Sequence, residues 1–543
     1  MVPLASIESG GAAGEILPSS PLRLRPARHL LGGKPEPLMS SPSSLYDAII
    51  IGAGPAGSVS ASLLASWGHR VLLLSRATDR SHSLAESIPP SARKLLSEVG
   101  VLDAVESAGF PRNRGNAVYW GAQDGRMEGF GDTNANAGFQ VFRPDFDQLL
   151  LTNAAAAGAE IRLDAKASLV EFVDNDVAAV DYTARDGRHR AHGRFAIDCS
   201  GRSGIIARRG LRVYEAGHRM QAFLGLWQRD SGWGAVEDDR TTVETYEDGW
   251  AWSLAISSRI RQVAVMVDGA TTRTVRGPTI AHAYVRELAK TQHLCAMTAG
   301  AALERAWACD ASLYSSSDFA GPQFLLIGDA ASCIDPLSSF GVKKALASAW
   351  LGAVAAHTAL NDSQRRSVAL DFFSSREREV YAADLTRTRS YARRASEHHR
   401  HDFWRRRAAA EGAEPEDDAV ADNSDRLLRR PSVRRAHEHL RQSASIQLGW
   451  SASVAFVKRP FVRGREIVLD DAIQFGSAAL RYANGVDLIA LGQCAGRHRQ
   501  VPDAFDEYCR AHGSVALPEF LAALSLLVAE GVLAPLDTSV HAS

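Results

Sequence analysis

Paired cysteines, a net charge and a long apolar run are all missing from this chain of 543 residues. Its six cysteines, Cys199, Cys295, Cys309, Cys333, Cys494 and Cys509, contain no C-x-x-C pair. That spacing excludes the common zinc sites and a disulfide framework, and predicts a reducing, cytoplasmic setting. Lys plus Arg number 61 against 62 for Asp plus Glu, so no global field draws in nucleic acid or acidic lipid. Any charged partner must be met locally. No apolar run reaches the roughly 18 to 20 residues that span a bilayer, so a soluble chain without a membrane partner is expected. With 45% apolar and 23% charged residues the composition is that of a folded chain, long enough for several units.

Residues 1–44 are rich in Pro, Ser and Gly, carry Arg23, Arg25 and Arg28, and show neither helical nor strand periodicity. They predict a flexible tail, with Met39 as an alternative natural start, because they lack the apolar area that offsets ordering entropy. They also lack the apolar core and cleavage site of a secretory signal.

Ordered structure is predicted from Tyr46. Ala48-Ile49-Ile50-Ile51 is a run of the kind that forms a parallel strand buried on both faces. It leads into Gly52-Ala53-Gly54-Pro55-Ala56-Gly57, a match to G-x-G-x-x-G. The first glycine permits the tight turn, the second lets backbone approach a pyrophosphate, and the third lets helix pack on strand. A helix over about 56–67, stopped by Gly68, and a second strand at Arg70-Val71-Leu72-Leu73-Leu74 complete a βαβ unit. A helix N-terminus there faces an anion. The acidic residue expected at the end of the second strand is replaced by Ser75, followed by Arg76. Serine can bond a ribose hydroxyl without the strength of a charge-assisted bond, and Arg76 is placed on the adenosine side.

NAD and FAD share this first turn, so the choice rests on segments further along. Phe324-Leu325-Leu326-Ile327 reads as another buried strand running into Gly328-Asp329-Ala330-Ala331, then Asp335-Pro336, then Ser338-Ser339-Phe340-Gly341-Val342 at the start of a helix to about residue 360. With these motifs the chain resembles FAD-dependent monooxygenases and halogenases. The resemblance implies that Gly328 and Asp329 hold the flavin ribityl and phosphate, and that Pro336, Ser339, Phe340, Gly341 and Val342 line the ring. It also places Arg143, in Gln140-Val141-Phe142-Arg143-Pro144-Asp145, beside the pyrophosphate, and returns the chain to the cofactor at Asp198-Cys199-Ser200-Gly201. The implied fold is α/β: a Rossmann-like FAD-binding domain of glutathione-reductase type over residues 45–385, interleaved with a substrate sheet drawn mainly from 110–140 and 211–310.

Glu86-Ser87-Ile88-Pro89-Pro90 is similar to the Glu-x-x-x-Pro stretch that halogenases set beside the flavin, which adds Ser87 to the cofactor candidates. Gly249-Trp250-Ala251-Trp252-Ser253-Leu254 is similar to their Trp-x-Trp signature, with Leu254 and Ala255 in place of Ile and Pro. The lysine such enzymes use to carry the hypohalous species is missing, since none occurs between Lys94 and Lys166. Arg114 is nearest that role, and a guanidinium does not form a haloamine at working pH. The expected reaction is therefore FAD-dependent hydroxylation of an electron-rich aromatic ring through a flavin hydroperoxide, with molecular oxygen as co-substrate. The alternatives are halogenation of an indole or phenol and reduction of a lipid chain. Trp250 and Trp252 are candidates for an apolar wall against the substrate, or for ordinary strand packing with one on each face. Glu86 and His218 are acid–base candidates. No second G-x-G-x-x-G unit is present, so electrons are expected from NAD(P)H or from the reduced flavin of a separate flavin reductase.

About 150 residues follow the flavin segments. Residues 386–450 read as a helical connector, with an Arg- and His-rich stretch at 387–407 and an acidic linker at 412–424. Charge nearly balances there, against nucleic-acid binding. From about residue 451, short strands at 455–457, 461–462 and 466–469 precede helical segments at 472–482, 487–494, 502–511 and 517–530. This order resembles winged-helix modules, in particular peptide-binding modules similar to the chaperone of pyrroloquinoline quinone biosynthesis. Packing appendage and DNA-binding module are the alternatives. A flavin monooxygenase joined to a peptide-recognition module resembles the flavoprotein maturases that hydroxylate a protein tryptophan during quinohemoprotein amine dehydrogenase biogenesis, so the implied partner is a polypeptide substrate.

Overall fold

The computed structural model describes residues 39–40, 45–76, 83–121, 125–131, 133, 136–173, 176–234, 239–269, 280–409, 427–442, 445–476 and 478–536. The acidic stretch 412–424, and all of the N-terminal tail except residues 39–40, lie outside them.

The first βαβ unit forms as the glycine spacing predicts. Strand Tyr46–Ile51 is followed by helix Pro55–Ser66 and strand Val71–Leu74, with Gly68 at φ +90° ending the helix. In the parallel sheet Tyr46–Ile51 lies between Val71–Leu74 and Gly187–Asp198, and the latter also pairs in parallel with Phe324–Leu326. Ile49, Ile50, Leu73, Ile197 and Leu325 are all fully buried, which is why these strands read as unbroken apolar runs rather than alternating ones. Backbone contact sets the turn. A Cβ on Gly57 would fall 1.8 Å from the Gly52 carbonyl oxygen, and one on Gly52, at φ +107°, would fall 2.4 Å from that of Cys199.

Helix Gly341–Asn361 crosses behind this sheet against Pro55–Ser66, and Gly352 lets the side chain of Ile327 approach it. The second layer is a seven-stranded sheet in the order 302–310, 220–228, 260–268, 249–255, 240–246, 115–119, 126–129, drawn from the predicted substrate segments. Strand Gly138–Phe142 stands apart from it, pairing instead with Ala85–Ile88 and Arg112–Asn113. These short strands join the two layers, since Gln262 accepts from the Ala85 amide at 2.9 Å and Gln140 from that of Ala255 at 2.6 Å.

The C-terminal third departs from expectation in two places. Helix Arg366–Ser396 runs unbroken through the predicted boundary at residue 385, and with Asp402–Ala408 it closes over the seven-stranded sheet. Phe403, Trp404, Ala392 and Ala395 share a core with Trp250, Met266 and Leu313, so this segment packs into the body that carries the seven-stranded sheet rather than acting as a connector. Residues 472–482, expected helical, are instead the end of strand Glu466–Phe475 and the short strands Ala478–Leu480 and Tyr482–Ala483. Cross-strand burial of Ile473 and Phe475 overrides the local helix propensity of the alanines. The three later helices form at Leu488–Arg497, Val501–His512 and Leu517–Ala529, and the first is capped by Asp487 accepting from the Ile489 and Ala490 amides. A three-stranded sheet plus these helices gives the winged-helix-like order. The long hairpin is anchored in both bodies. Ile467 is buried in the flavin domain's core, its amide donating to Thr358 at 2.9 Å, while Ile473 lies in the module's own core. No single helix among the described residues is long and apolar enough to cross a membrane.

Two outcomes test this reading. Gly57→Ala should abolish FAD retention on purification, read from the 450 nm absorbance per chain, because the clash is with backbone that cannot yield. Trp404→Ala removes an indole that is 2% exposed and donates to the Tyr246 carbonyl. It should cost about 3–5 kcal/mol in denaturant unfolding of the sheet-bearing body.

Candidate functional site

One cavity, about 240 Å³, opens where the two layers meet. Its floor is the glycine turn: Gly54, Pro55 and Ala56 line it, and a Cβ placed on Gly54 would meet only an Arg143 nitrogen at 3.7 Å. Helix Pro55–Ser66 has no side-chain cap, so its first amides are left for an anion. Helix Gly341–Asn361 is likewise uncapped at Phe340, and Gly341 and Val342 line the same cavity. Two uncapped helix starts converging on one space, with Asp329 between them on the turn after Ile327, fit a ligand with a pyrophosphate at one end and a polar ring edge at the other. FAD is such a ligand. Gly54, Pro55, Ala56 and Arg143 would hold the pyrophosphate, Asp329 the ribityl chain, and Pro336, Ser339, Gly341 and Val342 the ring.

The opposite wall is one face of the seven-stranded sheet. Cross-strand register lines up Cys309, Ala222, Met266 and Trp250 in one row, and Trp307, Leu224, Ala264, Trp252 and Val243 in the next. All but Trp307 line the cavity. Trp250 and Trp252 are two residues apart on a strand, so they share a face; the alternative with one tryptophan on each face is corrected by the pleat. Alanines at 222 and 264 leave the space that larger residues would fill. The Trp252 indole N–H is buried without an acceptor among the described residues.

Charge is concentrated at the flavin end. Arg143 bonds Glu86 at 2.6 Å and Asp147 at 2.9 Å, an arrangement fixed by strand Ala85–Ile88 lying against Gly138–Phe142. Burial pushes the Glu86 carboxyl up, against the pull of Arg143. Burial works against the Arg143 cation too, but Asp147 and Glu86 outweigh it and hold its pKa above the ordinary value. A second guanidinium, Arg202, donates to the Ser312 carbonyl at 3.1 Å, pairs with Asp310 at 3.0 Å and reaches the Cys333 sulfur. Asp335, 4% exposed, also lines the cavity; its carboxylate accepts from the Leu337 amide at 3.0 Å, and burial pushes its pKa up to about 6. Arg407, in the closing helix, is the cation that opposes this shift.

Of the residues expected from sequence, Gly54, Pro55, Ala56, Glu86, Ser87, Arg143, Trp250, Trp252, Asp329, Pro336, Ser339, Gly341 and Val342 meet in this cavity. Gly52, Gly57 and Gly328 act one step back, shaping the turns; Gly328 holds φ +65°. Phe340 precedes the helix start and is stacked on by Lys343 and Arg387. Ser75 sits at the end of the second strand and donates to the Arg76 carbonyl at 3.1 Å, while Arg76 is exposed; neither lines the cavity. Arg114 is also outside it, near Asp239 at 3.7 Å. Its neighbour Asn113 is the one aimed inward, bonding Ser87 at 2.5 Å and Thr241 at 3.3 Å. His218 is a core histidine bonded to the Ala216 carbonyl at 3.0 Å and lies away from the cavity. Sequence reading missed Arg202, Asp335, Ala222, Ala264 and Cys309, of which Asp335 was flagged only as part of Asp-Pro.

Comparison with known proteins agrees with this geometry. Residues 45–386, more than half of the chain, match the family described as FAD binding domain. A tryptophan 2-halogenase of Chondromyces crocatus is 28% identical over 344 residues, which is 62% of this chain and 65% of the halogenase. A flavin-dependent halogenase of Armillaria mellea is 28% identical over 59% of this chain and 66% of its own length. The aligned region thus spans just under two thirds of either relative. Among solved structures, the flavin-dependent halogenase CmlS superposes with TM-score 0.70 at 22% identity, covering 91% of this chain and 96% of its own. The peptidyl tryptophan dihydroxylase QhpG superposes with TM-score 0.61 at 19% identity, covering 90% and 100%. At such identities the likeness is one of fold, and it extends past residue 386 into the C-terminal module. The chain belongs to the FAD binding domain family, and its cofactor is FAD.

Proposed function

We propose that the protein is an FAD-dependent monooxygenase that hydroxylates an electron-rich aromatic ring, in particular a tryptophan side chain of a polypeptide undergoing cofactor maturation. The observation that carries this reading is the cavity itself: an aromatic and apolar sheet face directly opposite the FAD cradle, with no lysine among its described lining residues. Bound reduced FAD supplies the activation of molecular oxygen, with electrons from NAD(P)H or a separate flavin reductase. The protein's own contribution is placement. Trp250, Trp252, Leu224 and Met266 give a flat-sided slot that holds a ring and excludes water. The unpartnered Trp252 N–H is a donor for the substrate. Asp335 is a lining carboxylate whose pKa burial raises to about 6, so it is placed to accept the proton that the ring releases.

Halogenation of an indole or phenol is the second reading, supported by the names of the relatives. Against it stands the lack of an amine in the cavity: Arg143 and Arg202 are its described cations, and both are guanidinium groups engaged by carboxylates. The polypeptide reading also draws on the C-terminal module, whose strand Phe456–Arg463 is at a sheet edge and leaves one side of its backbone for strand addition.

Intact-mass analysis of candidate polypeptides after incubation with the protein, FAD, a reductant, air and chloride tests the proposal. A gain of about 16 or 32 Da, for one or two oxygen atoms on an aromatic residue, is expected; a gain matching chlorine for hydrogen establishes the second reading and overturns the first. The Asp335 role has its own test. Turnover should fall as pH drops through about 6, where its carboxylate takes up a proton. Asp335→Asn should remove that acidic limb and leave the remaining rate lower by roughly 10²-fold or more.

A further inference from the structure

Helix Gly341–Asn361 carries a charged residue where none is expected. Lys344 stands one turn into it, only 5% exposed, and faces the flavin turn from behind. Its ammonium donates to the Gly328 carbonyl at 3.0 Å and to the Ser332 carbonyl at 2.6 Å, spanning the turn that carries Asp329. One helical turn on, the Ser348 hydroxyl accepts from the Gly328 amide at 3.1 Å. Both backbone groups of Gly328 are therefore held by one helix face. Near Ser348 and Lys344 lies Glu377, 4% exposed on helix Arg366–Ser396, with one carboxylate oxygen that has no hydrogen-bond partner among the described residues. Burial pushes the Glu377 carboxyl up, and Lys344 opposes that shift.

Apolar residues would have packed these two helices at no desolvation cost, so a buried ammonium and carboxylate here call for a compensating role. The ammonium adds a second donor to the Gly328 carbonyl, which already accepts from the Ala331 amide at 3.1 Å, and by bridging to Ser332 it fixes the spacing between Gly328 and Ser332. It also puts a full positive charge immediately behind a turn whose other side, at Asp329 and Cys333, lines the FAD cavity. In a poorly solvated site such a charge acts over several ångströms.

We propose that Lys344, Ser348 and Glu377 form a positioning network for the cofactor: Lys344 sets the turn that presents Asp329, and the Lys344 and Glu377 charges together tune the reduction potential of bound FAD. This rests on the FAD assignment and is independent of which aromatic reaction follows. A cation behind the turn favours the added negative charge of the reduced cofactor, and an anion behind it opposes that charge. Lys344→Met and Glu377→Gln should therefore move the potential in opposite directions, the first to more negative and the second to more positive values. The double variant should lie between them.

The test is a spectroelectrochemical titration of FAD-loaded wild type, both single variants and the double variant at pH 8, together with FAD titration of the apoproteins by flavin fluorescence. Ser348→Ala, which keeps both charges, separates geometry from electrostatics. It should weaken FAD binding by about threefold to tenfold, as expected for one lost hydrogen bond, and leave the potential in place. Lys344→Met should weaken binding by at least as much and shift the potential. Shifts of the same sign in Lys344→Met and Glu377→Gln, or unchanged potentials in folded, FAD-loaded variants, overturn the proposal. Normal potentials and affinities with no turnover on any aromatic substrate would instead leave FAD binding standing and count against the monooxygenase reading.

Discussion

The near contact between Gly57 and the carbonyl of Gly52 decides the rest of the architecture. At that spacing helix Pro55–Ser66 lies flat on its strand, its first amides point past Gly54, and there is room for an anion but for no side chain. Everything that touches the cofactor is referenced to this turn. Cys199 approaches Gly52 from the neighbouring strand, Arg143 reaches over Gly54 from across the cavity, and Gly328 packs against Ala56 from the next turn. A methyl group at any of the first contacts would move two elements at once. The sequence can satisfy this constraint only with glycine, which explains why the motif is legible at all.

The substrate side obeys a different constraint, that of a sheet face needing a lid. Seven strands present Trp250, Trp252, Met266 and Leu224 toward the flavin cradle, and alanines at 222 and 264 keep the face from filling its own space. Such a face would be solvent-exposed at its far end. The segment 366–408 closes it, tied down by Trp404 to the Tyr246 carbonyl, Arg407 to the Arg219 carbonyl and Arg389 to Glu215. The C-terminal module is tied to the flavin domain as well, since its hairpin inserts Ile467 beside Thr358. The chain past the flavin domain is thus a continuation of the site's packing.

Which of these features could be read from sequence follows from how local their causes are. The glycine turn, the buried strands and the helix start at Gly341 are written in consecutive residues, and they appear where expected. The seven-stranded sheet was legible as a region and not as a face, because which of Trp250 and Trp252 meets the cavity depends on register with strands far away in sequence; both do. Arg114 drew attention through spacing, yet an offset of one residue on a strand reverses orientation, and it is Asn113 that bonds Ser87. The strand at residues 472–475 is hidden because the alanines around it favour helix locally, while Ile473 pairs with Phe456, Phe475 pairs with Ala478, and both are buried in the module's core. Lys344 gave no signal either, as a lysine near the start of a helix reads as a solvated side chain until the carbonyls of Gly328 and Ser332 are seen around it.

The chemistry turns on the kind of cation that the cavity offers. An amine that can lose a proton can carry an electrophilic halogen, whereas a guanidinium paired with carboxylate is a fixed charge and a steering group. Arg143 between Glu86 and Asp147, and Arg202 beside Asp310, are of the second kind. The lysine nearest the flavin turn, Lys344, has its ammonium committed to two backbone carbonyls on the far side of that turn from the aromatic face. In the proposed reading, fixed cations, the Asp335 carboxylate and an aromatic slot opposite the cofactor position a ring and take up its proton. That arrangement would serve direct oxygen transfer over a short distance, while the relatives named as halogenases keep halogenation as the alternative.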